Sequence, residues 1–311
     1  MTAPNGKAAE GSARRRKIVR VGASLFAAVL LGALILRSRE SVYQGKAVGV
    51  WIDELADNSS LAANALRHLG PAAVGPLVQA LERKPAGWLK AYAAVSEHAP
   101  RVLKPKLADI YYHVVWRDSR IPHVRAAAAQ MLGDLGRVAA RAAPALVNVL
   151  TDGNPVLRRN AAFALGKIGA RPELAIPALC ALLRDPNEEV RMYAAIALKK
   201  FGTQAGPAVP ALVSAVKDRS WQVRERAALA LGTAGRHQPE AVAALEQAML
   251  DEHRFVRASA ATALAWLAPQ ASTARVALEQ ARYDPDAEVR YSAAVAVRQI
   301  ESAAGALADL K

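Results

Sequence analysis

Apolar residues in the second half of the chain fall into a helical rhythm that restarts at a fixed interval. In 173–202, Leu174, Ile176, Leu179, Leu182 and Leu183 are spaced as one face of a helix. The cluster Arg184-Asp185-Pro186-Asn187 interrupts it, because a proline cannot continue a helix. A second helix is predicted over 188–201, with Val190, Ala194, Ala195, Leu198 and Phe201 three or four apart. Gly202 is its stop, with Gly136, Gly169 and Gly235 at the same phase. One unit is thus helix, turn, helix, turn, with no strand.

The interval is 33 residues. Ala128-Ala129 recurs as Ala161-Ala162, Ala194-Ala195, Ala227-Ala228, Ala260-Ala261 and Ala293-Ala294. Leu132 recurs as Leu165, Leu198, Leu231, Leu264 and Val297. Paired alanines let neighbouring helices approach near the ~8 Å end of interhelical distances. Leu146, Leu179, Leu212, Leu245 and Leu278 fill the space between the two helices of a unit, and Pro144, Pro177 and Pro210 fall near the start of the first. A period of this size means a solenoid whose units bury their apolar faces only against neighbours. The fold class is therefore all-α, an α-solenoid of about eight helix pairs.

Charged residues keep the same time. Asp152, Asp185, Asp218, Asp251 and Asp284 each lie six residues before Arg158, Arg191, Arg224, Arg257 and Arg290. Such an Asp can cap the second helix and accept charge-assisted bonds from an Arg of its own or the next unit. The regular spacing favours a structural ladder over a row that binds acidic ligands.

The pattern D-x-x-x-x-V-R-x-x-A-A-x-x-L-G-x-x-G, carried by Asp185, Val190, Arg191, Ala194, Ala195, Leu198 and Gly202, resembles a HEAT repeat of the short, bilin-lyase-like type. The likeness covers roughly 107–301; the T-P-L-H of ankyrin repeats and the tetratricopeptide pattern are absent. It implies an α-solenoid that binds other macromolecules, with its second helices lining the concave side. Bilin lyases and HEAT-like DNA glycosylases show that enzymes can be built on such a scaffold.

Six regular repeats are expected over 118–301, followed by a tail, 302–311. Upstream, Ala62, Ala63, Leu66, Leu69 and Gly70 repeat the phase of Ala161 to Gly169. Residues 47–117 read as irregular repeats and a cap, with helices over 87–97 and 103–116 and a first helix from Tyr43-Gln44-Gly45-Lys46 through Leu55. The aromatics Trp51, Trp88, Tyr92, Tyr111, Tyr112 and Trp116 gather there, as a second candidate surface or as filling for a less regular stack.

Residues 1–17 form a basic tail, and Val21–Leu36 runs sixteen residues without a charge. Counted from Ile18, with Arg20 snorkelling, the apolar stretch is about 28 Å long, close to the ~30 Å of a hydrocarbon core. It reads as a transmembrane signal anchor over 18–36 with a linker over 37–46; a cleaved signal peptide and a buried core helix are the alternatives. The basic excess on its amino side puts the amino terminus in the cytoplasm and the repeats on the outer, periplasmic or extracytoplasmic side.

Charge adds little else. Of the net charge of +14, half lies in residues 1–46, so the repeats are only mildly basic and nucleic acid is not an expected partner. The one cysteine, Cys180, excludes an internal disulfide and reads as a small core residue. Six scattered histidines show no metal-ligand spacing, and no nucleophile elbow, P-loop or dinucleotide fingerprint occurs. No catalytic residue, metal or cofactor is expected.

The second helices carry the remaining signal. With Val124, Leu157, Val190, Val223, Val256 and Val289 as position 0, position 6 points nearly opposite the packed face and should be polar. It reads Gln130, Phe163, Ile196, Leu229, Thr262 and Val295. Positions 3 and 10 flank it with Asn160, Tyr193, Arg226, Lys167, Lys200 and Trp266. Two readings stand: an apolar groove with an aromatic and basic border that binds a protein or peptide partner, or side chains packed between tightly curved neighbours. The candidate partner-binding residues are Phe163, Tyr193, Ile196, Arg226, Leu229, Trp266 and Val295. A membrane-tethered binding scaffold leads; an enzyme on the same scaffold or a purely structural spacer are the alternatives.

Overall fold

A computed structural model of the 311-residue chain describes residues 41–84, 97, 119–268 and 270–308. The tail 1–17, the apolar stretch 18–36, the helix over 103–116, all but Glu97 of the helix over 87–97, and Trp88, Tyr92, Tyr111, Tyr112 and Trp116 lie outside them. Among the described residues, no helix is long and apolar enough to cross a membrane.

Two compact units divide the chain after Val48. In the first, β1 (Val42–Tyr43) pairs antiparallel with β2 (Lys46–Ala47), in the register Val42 to Ala47 and Tyr43 to Lys46. Positive φ at Gln44 and Gly45 closes a two-residue turn of the kind that matches strand twist. The expected helix over this segment is thus a hairpin as far as Ala47; α1 (Val48–Leu55) begins only after it.

The second unit starts at Gly49, inside α1, and continues with α2 (Ser60–Leu69) and α3 (Pro71–Glu82). Ser59 caps α2, its hydroxyl accepting from the Ala62 N–H, and Ala62 and Leu66 are buried. The second helices of the regular repeats are α4 (Ile121–Leu135), α6 (Pro155–Ile168), α8 (Glu188–Phe201), α10 (Trp221–Ala234), α12 (Arg254–Trp266) and α14 (Ala287–Ala308). Each packs on the next, so the core is a continuous seam. The paired alanines from Ala128 to Ala261 and the leucines Leu132, Leu165, Leu198, Leu231 and Leu264 are buried along it.

The first helices are less uniform: α5 (Ala143–Asn148), α7 (Pro172–Leu182), α9 (Val209–Ala215), α11 (Pro239–Ala248) and α13 (Arg275–Ala281). Three are short because a 3₁₀ stretch precedes them, at Gly136–Ala142, Gly202–Ala208 and Gln270–Ala274. Pro144 and Pro210 stand in the first turn of α5 and α9, where the missing N–H costs nothing. Pro177 departs from that expectation. Arg171 takes a left-handed turn, α7 starts at Pro172, and Pro177 falls inside the helix. Gly136, Gly169 and Gly202 have positive φ, whereas Gly235 does not.

Candidate functional site

One edge of the stack is the charged ladder. Arg158 donates from Nε and Nη2 to both carboxylate oxygens of Asp185, at 2.7 Å each, and from Nη1 to the carbonyl of Asp152 at 2.8 Å. Arg191 repeats this on Asp218 and the Asp185 carbonyl, Arg224 on Asp251 and the Asp218 carbonyl, and Arg257 on Asp284 and the Asp251 carbonyl. Each guanidinium therefore clasps its own turn and the carboxylate of the following repeat. At Arg191 and Asp218 the side chains are only 5% and 12% exposed.

The ladder aspartates do not cap the second helices. Each carboxylate receives the N–H two residues on, as at Asn154, Asn187, Ser220, His253 and Asp286. Those residues are the ones at the helix starts; Asn154 caps through the Val156 N–H and Asn187 through the Val190 N–H. Burial pushes the Asp185 and Asp218 carboxyls upward, but the arginine and the turn N–H outweigh it and leave both below their ordinary value. Arg257 does the same for Asp284 more directly.

A second device was not foreseen from the periodicity. Position 9 is Gly133, Gly166 and Gly232, each facing position 7 of the next helix. A Cβ on Gly166 would lie 2.7 Å from the Ala197 Cα, and one on Gly232 would lie 2.7 Å from the Ala263 Cα. The neighbouring backbones touch there, which a side chain would forbid.

The candidates on the face that the resemblance makes concave are neither an open groove nor sealed. Phe163, Ile196, Leu229, Thr262 and Val295 are all half-buried, and Gln130 is exposed. Tyr193 meets the Phe163 ring edge-on, with centroids 5.7 Å apart. Arg159 lies 5.8 Å from the Tyr193 ring, and Lys167 lies 5.2 Å from the Phe163 ring while pairing with Asp134 at 2.9 Å.

Further along, Lys199 in α8 sits 5.0 Å from the Trp266 ring in α12, reaching across the repeat between them. Trp266 lies over Gly232 and is still 45% exposed. Arg226 joins this group; its Nε is buried with no hydrogen-bond partner, and Glu225 stands 3.6 Å away. Burial, then Arg226 and Lys200, push the Lys199 ammonium below its ordinary value. Burial pushes the Glu225 carboxyl up against the pull of Arg226, His253 and Lys199. Phe163 with Tyr193, and Lys199 with Arg226 and Trp266, are thus two separate clusters; Ile196, Leu229 and Val295 belong to the apolar row.

Sequence reasoning also missed the stack of Trp221 on His253, 3.9 Å apart and nearly parallel, with Phe255 beside both. Its residues sit at the starts of successive second helices, outside the phases that repeat. Near the ladder, a cavity of about 480 Å³ is lined by Cys180, Leu183, Arg184, Asp185, Arg191 and Asp218 among others. Its aspartates are already held by ladder arginines, and burial raises the Cys180 thiol. Among the described residues, no group of His, Cys, Asp or Glu is placed to hold a metal ion.

The likenesses to known proteins concern the repeats. No curated protein matches the chain. Among solved structures, an engineered protein is 22% identical over 82% of this chain and 78% of its own, with a TM-score of 0.46. A designed armadillo repeat protein in complex with the peptide (KR)4 is 17% identical over 69% of this chain and 100% of its own, with a TM-score of 0.48. The complex of CpcE and CpcF of phycocyanin lyase from Nostoc sp. is 25% identical over 50% of this chain and 98% of the matched one, with a TM-score of 0.42. The family model for HEAT repeats matches residues 143–218 and 209–298, together half of the chain. The matched stretch holds the helices, turns and Asp–Arg clasps described above, and the chain belongs to the HEAT-repeat family.

Proposed function

We propose that this chain is a scaffold that binds a protein or peptide partner along the concave face of its second helices and performs no catalysis of its own. The observation that carries the reading is the row Phe163, Ile196, Leu229 and Val295. These side chains stay partly open to solvent, whereas the residues that follow them on the same helices, Ala164, Ala197, Ala230 and Ala296, are buried. Lys199, Lys200, Arg226 and the exposed Trp266 border it, so an occupant meets apolar, aromatic and cationic contacts at once. The uncharged stretch 21–36 supports tethering of this scaffold to a membrane, with the repeats on the outer side.

The test is charge reversal of the row. Full-length protein carrying Ile196→Glu with Leu229→Glu is expected to keep its helical circular dichroism and lose the partner that wild type captures from membranes after crosslinking. Unchanged capture by the folded variant overturns the reading.

A further inference from the structure

The cations around Phe163 and Tyr193 are already matched. Lys167 pairs with Asp134 at 2.9 Å, and Arg159 pairs with Glu189 at 2.6 Å. Two repeats on, the balance changes. Lys199 and Lys200, near the end of α8, have no carboxylate at ion-pair distance among the described residues. Arg226 on α10 meets only Glu225, at 3.6 Å, which is too far for a hydrogen bond. Three cations thus gather against one carboxylate. After burial, it is the charges of Arg226 and Lys200 that disfavour the Lys199 ammonium.

Arg226 shows the same lack in its hydrogen bonds. Its Nε is buried without a partner, while the side chain as a whole is 41% exposed. A guanidinium that solvent can reach is free to turn its fork toward an outside carboxylate, which accepts two parallel N–H bonds and relieves the orphaned donor. Apolar surface lies alongside. The Lys199 Nζ stands 5.0 Å from the Trp266 ring, which is 45% exposed, and Leu229 on the helix between is half-buried. From α8 to α12 is two interhelical steps of about 8–10 Å, the length of roughly five to six extended residues.

We infer that the partner reaches this face, whose binding role is the one proposed above, through an acidic segment. An Asp or Glu side chain sits among Lys199, Lys200 and Arg226, and an aliphatic or aromatic side chain within about six residues of it rests on Leu229 and Trp266. Charge complementarity selects this occupant. A nucleic acid or an anionic membrane surface engages many cations over a broad area, whereas this group is three side chains on two helices, bordered by apolar surface.

The experiment pans a phage-displayed library of random short peptides on the immobilised full-length chain. Selected sequences are expected to join Asp or Glu to Leu, Phe or Trp at that separation. A fluorescein-labelled copy of the strongest, read by anisotropy, should bind roughly tenfold more weakly, or worse, to Lys199→Gln and to Arg226→Gln. It should bind within roughly twofold of wild type to Lys217→Gln, a substitution of an exposed lysine beyond the end of α9. Lys199→Gln carries the test alone if Arg226→Gln, beside the largely buried Glu225, fails to fold. Selected peptides that lack acidic residues yet lose binding on Leu229→Glu would overturn the inference and leave the binding face standing. An acidic peptide held equally by every variant, or no selection at all, would overturn it too. So would tighter binding of a single-stranded oligonucleotide, or of phosphatidylserine vesicles, that depends on the same Lys199 and Arg226.

Discussion

The ladder edge and the position-6 face, which the resemblance makes the concave one, are built on the same six helices, yet they treat the 33-residue period in opposite ways. On the ladder edge every repeat from Arg158 to Arg257 solves the same problem identically, with distances that differ by only tenths of an ångström. On the concave face position 6 runs through Gln, Phe, Ile, Leu, Thr and Val, and position 3 through Asn, Tyr and Arg. A contact that only holds neighbours together needs to recur; a surface that recognises something outside the chain has no reason to. The ladder's polar groups from Arg158 to Arg257 are also satisfied within the chain, whereas the concave face keeps a buried Arg226 Nε without a hydrogen-bond partner and an exposed Trp266.

If this contrast is right, damage to the ladder should cost stability and damage to the face should cost binding. The largest effect is expected from Arg191→Ala, which leaves the Asp218 carboxylate buried and unpaired and should lower unfolding free energy by about 3 kcal/mol or more. Urea denaturation followed by circular dichroism reads it; a loss no larger than that of Arg298→Ala would remove the ladder from the account. Next comes Gly166→Ala. Its Cβ meets the Ala197 Cα, so the stack must open locally, at about 1–3 kcal/mol. Gly153→Ala, where a Cβ meets nothing, is the control.

The third effect depends on pH. Asp185, Asp218 and Asp284 have folded values below the ordinary carboxylate value, so the unfolded chain takes up protons first as pH falls. Their contribution is complete above about pH 4 and is lost as pH drops below it through the folded values. Melting temperatures measured downward from pH 6 should stay level and then fall. An Arg191→Leu, Asp218→Leu double variant should fall less steeply. The smallest stability change, within about 0.5 kcal/mol, is expected from Lys199→Gln on the concave face, which should nevertheless weaken partner capture.

How much of this could be read from the residues follows from periodicity. The helices, the seam of Ala and Leu and the pairing of Asp with Arg are phase-locked, and phase is visible in a single sequence. Whether Arg191 would reach its own Asp185 or the next Asp218 was not, because both lie in phase; the fold answers with a carbonyl from one and a carboxylate from the other. The glycine contacts escaped because Lys199 and Ala265 interrupt that row, and because an absent side chain reads as a spacer until a neighbouring backbone is seen against it. The hairpin at Gln44-Gly45 was hidden by strands too short to show alternation. On the concave face the row itself was legible, but its degree of opening depends on how closely neighbouring helices pack. Lys199 reaching Trp266 two repeats away is a consequence of stacking that no local pattern records.

Site-resolved photocrosslinking from the full-length protein in membranes tests the central claim most directly. A photoreactive residue is placed in turn at Leu229 and Val295 on the concave face and at Val276, which is 70% exposed on a first helix. The account expects one and the same partner to be trapped from Leu229 and Val295 and not from Val276. Trapping that is equal from Val276, or absent from both concave positions while the partner still co-purifies, would contradict it.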